Sequence, residues 1–490
     1  MLFSAFDSKL LFRYAPWLSK KTRVRLPRHG KIAVAVFACL ALDVSATAIE
    51  PAKVLSTDVG FIPEMAGSLR TQHGSLFFVG REKLLVFLNE ELHIVTRLAI
   101  LNETAAIDFA DINGDGNDDL IEFTQRCIFV RFYKKNQFGT PQIAVENKFS
   151  VPLYVNNLEQ TIISVDFDRD GFSDLFIPAE GKFLVYQNLQ NGKFKLIQEL
   201  PFAPKGSFTN RLWQNSDLSS NSIRSTVIIP QPIFLDFNHD HIVDAAARID
   251  DRIYFFLSDP KIKKPFVDSI LRIYPFDLQD IYVSFAEFAD LDGDDQYDLI
   301  FSAVRGLGLN IRSEIKIFRG ENFIPDPKRS TTHQFKGGVY SPLIIDKRKT
   351  KLLILPSVDT GITFFINYVL RSSVTLTLLL LDPFEPQKNP LSSTKLRFSS
   401  KDTSLPGFAY ADFNADGYTD FALGVDPETI AIYAGNEDFS KDEALRISAP
   451  AYSIYKTIHL KDGSSALFIF MTPKSKTEKK TVVYLAKIKF

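Results

Sequence analysis

The stretch DINGDGNDDL (residues 111–120) is the first of five copies of one acidic pattern, Asp-x-Asn/Asp-x-Asp with a further Asp four residues on. The later copies are DFDRDGFSDL (166–175), DFNHDHIVDA (236–245), DLDGDDQYDL (290–299) and DFNADGYTDF (412–421). Carboxylates ~4 Å apart repel one another by about 1 kcal/mol in water and about 4 kcal/mol near a protein surface. A chain that repeats this cost five times is predicted to bind cations there.

The first nine residues of each copy, called loops 1 to 5 in chain order, offer hard oxygen ligands. Positions 1, 3, 5 and 9 carry side-chain oxygens, and position 7 can add a backbone carbonyl. Calcium takes roughly 6 to 8 oxygens in flexible geometry, so we expect up to five Ca2+ ions rather than Mg2+. The candidate ligands are Asp111, Asn113, Asp115, Asn117 and Asp119; Asp166, Asp168, Asp170, Phe172 and Asp174; Asp236, Asn238, Asp240, Ile242 and Asp244; Asp290, Asp292, Asp294, Gln296 and Asp298; and Asp412, Asn414, Asp416, Tyr418 and Asp420.

Position 6 of the loop turns the chain back around the ion and favours glycine, which adopts positive φ without strain. Loops 1, 2 and 5 have Gly116, Gly171 and Gly417 there, whereas loops 3 and 4 have His241 and Asp295. Asp and His enter the left-handed region more readily than most residues. We therefore expect loops 3 and 4 to bind as well, but with lower affinity.

The residues around the loops are those of strands rather than of an EF-hand. An EF-hand needs a bidentate Glu at position 12 and flanking helices, and only loop 1 has such a residue, Glu122. The flanks are short runs rich in apolar, β-branched and aromatic residues without a helical period. Glu122 is therefore interpreted as an ordinary strand residue, and the repeating unit as strand, ion loop, strand, turn, strand.

The spacing of the units predicts a β-propeller. The loops begin 55, 70, 54 and 122 residues apart, and a decayed copy at 343–368 fills the long gap. Further decayed copies at 75–89 and 458–490 bring the total to eight. Units of this length with several strands are typical of propeller blades. We predict an all-β propeller of seven or eight blades, eight being favoured, with four antiparallel strands per blade and residues 52–59 completing the last blade.

The acidic ligands, the position-6 glycine and the Asp-Leu that opens the next strand resemble the FG-GAP/VCBS repeat of integrin α-chain propellers and of secreted bacterial proteins. The resemblance extends from about residue 60 to the C-terminus. It implies calcium sites in blade loops that stiffen the scaffold, and partners that bind elsewhere, on loops of a propeller face. Integrin-like propellers have seven blades. The absence of the position-6 glycine puts the third and fourth sites in most doubt.

The N-terminus predicts export. A basic segment precedes the apolar run IAVAVFACLAL (32–42) and the small residues Ala46-Thr47-Ala48, the order of a secretory signal. We expect residues 1–48 to be a signal peptide cleaved after Ala48, with an uncleaved anchor as the alternative. Residues 49–490 then form a single propeller domain. The predicted location is periplasmic, cell-surface or extracellular.

Charge and cysteine content narrow the class of partner. The net charge is −1, and removing the +6 of residues 1–48 leaves −7, which five calcium ions would change to +3. No dense basic patch remains, so no nucleic-acid partner is expected. Nor is membrane insertion expected beyond the N-terminal segment. Cys127 stays alone after cleavage, and its strand-like setting predicts a buried, inert thiol.

Two long connections interrupt the repeats, 201–225 with Trp213 and 382–404. Loops of this length are either functional or without structure. The first is the best candidate for a partner-contacting insertion, although a loop without structure of its own is the favoured interpretation.

The sequence has no catalytic motif: HExxH, GxSxG and Walker-type patterns are all missing,. His239 and His241 are expected to face solvent rather than to bind a transition metal. The favoured function is a calcium-stiffened binding or adhesion module for a protein or glycan at a propeller face, without enzymatic activity. The alternative is a carbohydrate-active enzyme, because some polysaccharide lyases use a calcium-binding propeller of eight blades.

Overall fold

The structure is a computed structural model, and the chain divides into two units, Met1–Ala48 and Ile49–Phe490. The first unit, with the predicted signal segment, lies outside the described residues. Among the described residues no helix has the length and apolarity of a membrane span. The described residues are 52–146, 158–179, 182–190, 192–201, 206–210, 223–227, 232–249, 252–258, 266, 270–273, 281–305, 311–321, 324–339, 342–347, 350–358, 373–385, 390–399, 407–435, 443–451, 453–460, 464–470 and 481–488.

The first half of the described chain consists of strands β1 to β18. These are β1 (Lys53–Asp58), β2 (Met65–Thr71), β3 (Gly74–Arg81), β4 (Leu84–Leu88), β5 (Ile94–Ala99), β6 (Ala106–Ala110), β7 (Asp119–Phe123), β8 (Cys127–Arg131), β9 (Tyr133–Lys134), β10 (Gln137–Phe138), β11 (Gln142–Glu146), β12 (Glu159–Gln160), β13 (Ser164–Val165), β14 (Asp174–Ala179), β15 (Lys182–Asn188), β16 (Phe194–Pro201), β17 (Gly206–Asn210) and β18 (Ile223–Val227).

The second half contains strands β19 to β38. These are β19 (Pro232–Leu235), β20 (Asp244–Ile249), β21 (Arg252–Phe256), β22 (Ile270–Ile273), β23 (Ile281–Ala289), β24 (Asp298–Arg305), β25 (Arg312–Glu321), β26 (Ile324–Lys336), β27 (Gly338–Val339), β28 (Leu343–Lys347), β29 (Thr350–Val358), β30 (Ser373–Leu381), β31 (Ser392–Ser399), β32 (Phe408–Ala411), β33 (Asp420–Asp426), β34 (Thr429–Tyr433), β35 (Glu443–Ser448), β36 (Ile454–His459), β37 (Ser465–Phe470) and β38 (Val482–Lys487).

These strands form eight antiparallel blades. In chain order the blades are β2-β3-β4-β5, β6-β7-β8-β11, β13-β14-β15-β16, β19-β20-β21-β22, β23-β24-β25-β26, β28-β29-β30-β31, β32-β33-β34-β35 and β36-β37-β38-β1. Strand β12 adds a parallel fifth strand beside β6 in blade 2, and β27 pairs with β29 in blade 6. The prediction of eight blades of four antiparallel strands is therefore confirmed.

The core consists of hydrophobic clusters between adjacent blades, one for each of the eight blade pairs. Successive side chains of a strand point to opposite faces of its sheet, so each blade contributes apolar side chains to both neighbours. On β3, Phe77 packs against Phe468 of blade 8, with ring centroids 5.9 Å apart, while Phe78 packs against Phe109 of blade 2 at 4.8 Å. The cluster between blades 8 and 1 closes the ring.

Ring closure uses the N-terminal strand, as the sequence predicts. Strand β1 pairs with β38 in antiparallel register from Lys53↔Lys487 to Asp58↔Val482. It thereby completes blade 8 and covers an edge that would otherwise offer unpaired backbone groups to another chain. The Arg97 Nη1 in blade 1 donates to the carbonyl of Val59, just after β1, at 2.8 Å.

The two long connections differ from expectation. Within 201–225, β17 pairs with β18 in a two-stranded ribbon, so the interpretation as a loop without structure is wrong for these residues; Trp213 lies outside the described residues. The segment 382–404 contains β31, the outer strand of blade 6, so it is not merely a connection. The apolar run VTLTLLLL (374–381) forms most of β30.

The acidic loops occupy one topological position. Each connects the first strand of a blade to its second, in blades 2, 3, 4, 5 and 7. Blades 1, 6 and 8 correspond to the three decayed copies, and fewer residues connect their first and second strands. The pairings nearest the connection are Thr71↔Gly74, Lys347↔Thr350 and His459↔Ser465.

Candidate metal centre

Loops 1 to 4 lie side by side because their blades are neighbours. The Ser173 N–H of loop 2 donates to the Asp111 carbonyl of loop 1 at 2.9 Å. The Arg169 guanidinium of loop 2 lies 3.8 Å from an Asp236 carboxylate oxygen of loop 3. The acidic loops of four consecutive blades therefore form a continuous belt.

Loops 3 and 4 meet through a histidine. The His239 ring contacts the Asp295 carbonyl and stacks on Tyr297, with ring centroids 5.8 Å apart. His239 is exposed, as expected, although its ring packs against the next loop. His241 is exposed, as expected.

The backbone makes two left-handed turns in every loop. At position 6, φ is 78° at Gly116, 90° at Gly171, 70° at His241, 62° at Asp295 and 86° at Gly417. At position 4, φ is 71° at Gly114, 56° at Arg169, 55° at His239, 77° at Gly293 and 58° at Ala415. The expectation that the non-glycine residues at position 6 adopt this conformation is confirmed. The sequence analysis does not predict the left-handed residue at position 4, although Gly114 of loop 1 and Gly293 of loop 4 indicate it.

Backbone N–H groups within each loop orient its carboxylates. In loop 2, Asp166 accepts from the amides of Asp170 at 3.1 Å and Gly171 at 3.0 Å. The position-5 carboxylate accepts from the position-7 amide in all five loops, at 2.8 to 2.9 Å. These bonds fix the carboxylates on one side of the turn before any ion arrives.

The position-9 aspartate is a buried clamp in every copy. Its Oδ1 accepts a backbone N–H from a residue at or just beyond the end of the third strand, and its Oδ2 accepts the position-2 N–H in loops 1, 3, 4 and 5. The Oδ1 bonds join Asp119 to Tyr133 (2.8 Å), Asp174 to Asn188 (2.7 Å), Asp244 to Ser258 (2.6 Å), Asp298 to Gly320 (2.8 Å) and Asp420 to Gly435 (2.8 Å).

Burial raises the pKa of all five clamp carboxylates, and like charges in the same loop raise it further. The pKa is raised to about 7 for Asp119, about 8 for Asp174, about 6 for Asp244, about 7 for Asp298 and about 6 for Asp420. A cation in the loop would oppose both effects, because it stabilises the ionised form.

Two loops bring three carboxylates together. Among the described residues, one oxygen each of Asp166, Asp168 and Asp174 lies within 4.8 Å of the others, and the same holds for Asp290, Asp292 and Asp294. Loops 1, 3 and 5 carry Asn at position 3 and do not form such a triad among the described residues. The loop 4 triad includes positions 1, 3 and 5, whereas the loop 2 triad includes the clamp. Both triads could hold a metal ion.

Each triad contains a carboxylate oxygen without a protein partner. Asp292 Oδ1 is buried and accepts no hydrogen bond. Asp174 Oδ2 is also buried and unpartnered; the Phe167 amide is near enough to lower its pKa weakly but makes no hydrogen bond to it. Buried polar atoms are rarely left unpaired, and hard oxygens suit calcium. The donor set therefore fits a calcium ion. Loop 4, which the missing glycine put in doubt, is one of these two sites.

Two other titratable residues have structural settings. Glu122 lies on β7, as predicted, where it is fully buried and pairs with the Arg131 Nε at 2.5 Å and the Thr104 Oγ1 at 2.7 Å. The sequence did not indicate this buried ion pair. Cys127 is half-buried rather than buried. Burial raises the pKa of its thiol, which keeps it protonated and unreactive.

No protein-family model matches the chain, and no curated protein does. Similar solved structures include an Agrocybe aegerita lectin that recognises non-reducing terminal N-acetylglucosamine (11% identity, 81% of this chain and 94% of that chain, TM-score 0.45). Others are BBS1N in complex with ARL6DN (11%, 79% and 92%, 0.39) and the V. cholerae biofilm matrix protein Bap1 (12%, 86% and 76%, 0.26). At these identities and TM-scores the matches assign no ligand or function to this chain.

The two left-handed positions predict opposite effects of one methyl group in loop 5. Ala415 is exposed with φ 58°, so Ala415→Gly should relieve backbone strain and stabilise the protein by about 0.5–1 kcal/mol. This net gain is the strain energy relieved minus the cost of the greater conformational entropy of the unfolded chain. The methyl group added by Gly417→Ala meets nothing within 4 Å. This change should cost about 1 kcal/mol, because the backbone strain exceeds the gain from a less flexible unfolded chain. Urea unfolding in chelator measures both, and two changes of the same sign would contradict the prediction.

The clamp aspartates predict a distinctive pH dependence. Their folded pKa values, about 6 to 8, lie above the ordinary value of 3.8. The folded state thus binds more protons than the unfolded chain between pH 3.8 and the folded pKa values. The stability that these groups contribute is lost as pH rises towards 8. Calcium should cancel this loss. The rise in melting temperature on adding calcium should be larger at pH 8 than at pH 5.5, and an increment that is flat or shrinks with pH would contradict this.

Proposed function

We propose that this protein is an exported calcium-binding propeller that acts as a binding or adhesion module for a protein or glycan, with calcium in a structural role. The observation that carries the calcium proposal is the pair of triads in loops 2 and 4, each with a buried carboxylate oxygen that no protein group satisfies. The other three loops share the same backbone turns and clamp, which supports up to five ions.

A structural role follows from where the loops lie. Blades 1, 6 and 8 form complete sheets without an acidic loop, so an ion is not required to build a blade. Where the loop is present, its clamp aspartate ties the turn to the end of the third strand, and an ion would hold several carboxylates on the same turn. Calcium would therefore stiffen four adjacent blades and blade 7.

The partner surface is proposed to lie outside the ion loops. The ribbon β17–β18 joins blade 3 to blade 4 and pairs with neither blade sheet. The eight blades contain their full set of strands without it, so the fold does not explain its presence. A role in contacting a partner would explain why the ribbon is present. The basic and apolar N-terminal segment supports export, where free calcium is abundant. The carbohydrate-active enzyme stays an alternative that a turnover assay addresses.

Calcium binding predicts a measurable gain in stability. Ligand at 100 times its dissociation constant stabilises by about 2.7 kcal/mol per site, so millimolar calcium should raise the melting temperature by several degrees over chelator. Asp174→Asn should reduce the rise and remove one site from a calorimetric titration. Asp326→Asn, which changes a half-buried carboxylate outside the loops, serves as the control. Equal melting temperatures with calcium and with chelator would contradict the calcium proposal.

The binding role predicts a calcium-dependent partner. Residues 49–490 applied to a combined glycan and protein array should give signals that weaken in chelator, because partner-contacting loops lose their support. Replacing the ribbon, residues 206–227, with a short Gly-Ser linker should abolish a signal that depends on it while leaving the melting temperature unchanged. Depolymerisation of a polysaccharide substrate in place of stable binding would favour the enzyme alternative.

A further inference from the structure

Position 3 divides the five loops into two kinds. In loops 3 and 5 it is Asn, and its amide donates to the position-5 carboxylate: Asn238 Nδ2 to Asp240 Oδ2 at 3.1 Å, and Asn414 Nδ2 to Asp416 Oδ2 at 2.9 Å. In loop 1, which also has Asn at position 3, the side-chain amide of Asn117 donates to its position-5 carboxylate at 2.8 Å. Loops with Asn at position 3 therefore supply a donor to their own carboxylates.

Loops 2 and 4 have Asp at position 3, and this residue faces a polar side chain of the third strand: a hydrogen-bond donor in loop 2 and an ion-pair partner in loop 4. The Gln187 Nε2 donates to Asp168 Oδ2 at 2.9 Å in loop 2. The Arg319 Nη1 lies 3.6 Å from Asp292 Oδ2 in loop 4. The two polar residues are structurally equivalent, since each directly precedes the residue whose N–H holds the clamp aspartate.

The other three loops have no polar side chain at the equivalent position, which lies just beyond the third strand. The equivalent residues are Phe132, Leu257 and Ala434 in the blades of loops 1, 3 and 5. Five copies within one chain thus show one pattern: a polar third-strand residue accompanies Asp at position 3, and an apolar residue accompanies Asn. The pairing connects the strand residue to the charge of the loop rather than to the packing of the blade.

Gln187 and Arg319 differ in charge and in how firmly they are held. The Arg319 guanidinium lies over the ring of Phe384 in blade 6, 3.9 Å from its centroid. The Phe384 amide is in turn bonded to Asp382 Oδ1 at 2.9 Å. Arg319 is therefore a fixed positive charge beside the loop 4 triad, whereas Gln187 is a neutral donor beside the loop 2 triad.

We propose that this third-strand residue sets the cation affinity of its loop. The neutral Gln187 leaves loop 2 as the tighter cation site. The Arg319 guanidinium acts as a counter-ion to the loop 4 carboxylates and weakens cation binding there. The inference rests on the proposed calcium binding. A unit charge several ångströms from a divalent ion lowers its affinity by about tenfold even in a water-like dielectric. Asp292 Oδ1 stays unpartnered, so loop 4 keeps its ligand while Arg319 opposes the ion.

Calorimetric titration of the full chain with calcium tests the proposal. Arg319→Gln, which copies the loop 2 arrangement, should tighten one site about tenfold. The reciprocal Gln187→Arg should weaken a different site by a similar factor. Ala434→Gln is the matched control, because loop 5 has no position-3 carboxylate to contact, and it should leave the isotherm unchanged. Arg319→Met, which keeps an apolar contact with Phe384, should tighten the same site as Arg319→Gln and separates charge from packing.

Asp290→Ala assigns the effect to loop 4. In that background Arg319→Gln should have no effect on the remaining sites, and a shift that persists would overturn the proposal. Calcium binding that is identical in the native chain, Arg319→Gln and Gln187→Arg would overturn it too, while leaving the calcium proposal intact. No binding heat in any variant, with equal melting temperatures in calcium and chelator, would instead refute the calcium proposal on which it rests.

Discussion

The buried clamp aspartate is the interaction on which each acidic loop depends. In blade 7, Asp420 accepts the Phe413 N–H with one oxygen and the Gly435 N–H with the other, both at 2.8 Å. One carboxylate thereby joins the start of the loop to the end of the third strand. Charge-assisted bonds of this kind are among the stronger hydrogen bonds in proteins. The cost is a buried charge, which burial and the neighbouring carboxylates make harder to ionise.

The same carboxylate connects architecture to ion binding. In loop 2, Asp174 is both the clamp and a member of the triad, and its Oδ2 makes no hydrogen bond. In loop 4 the triad excludes the clamp Asp298, whose two oxygens both accept amides. The repeat thus holds its turn with protein hydrogen bonds and adds the ion to groups already placed. This explains how blades 1, 6 and 8 could lose the acidic residues and keep their strands.

The sequence predicts the ring well because its signals are local and repeated. Acidic loops at a regular spacing, each followed by strand-like runs, determine the blade number, and the closing strand follows from the incomplete last unit. Contacts between blades were not predictable in this way. The stacking of His239 on Tyr297 and the pairing of Glu122 with Arg131 depend on which side chains face each other across a sheet or between loops. The left-handed residue Ala415 carries no sequence signal of its own.

The five loops also show how one backbone supports different charge. All share the turns at positions 4 and 6, and two of the places where they differ are position 3 and the strand residue beside it. Asn238 supplies a donor to its own loop, whereas Asp168 and Asp292 need Gln187 and Arg319. An extra carboxylate strengthens attraction for a cation and also repulsion without one. A neutral donor relieves the repulsion and leaves the attraction, while a fixed cation reduces both, so affinity can vary between blades without any change in fold.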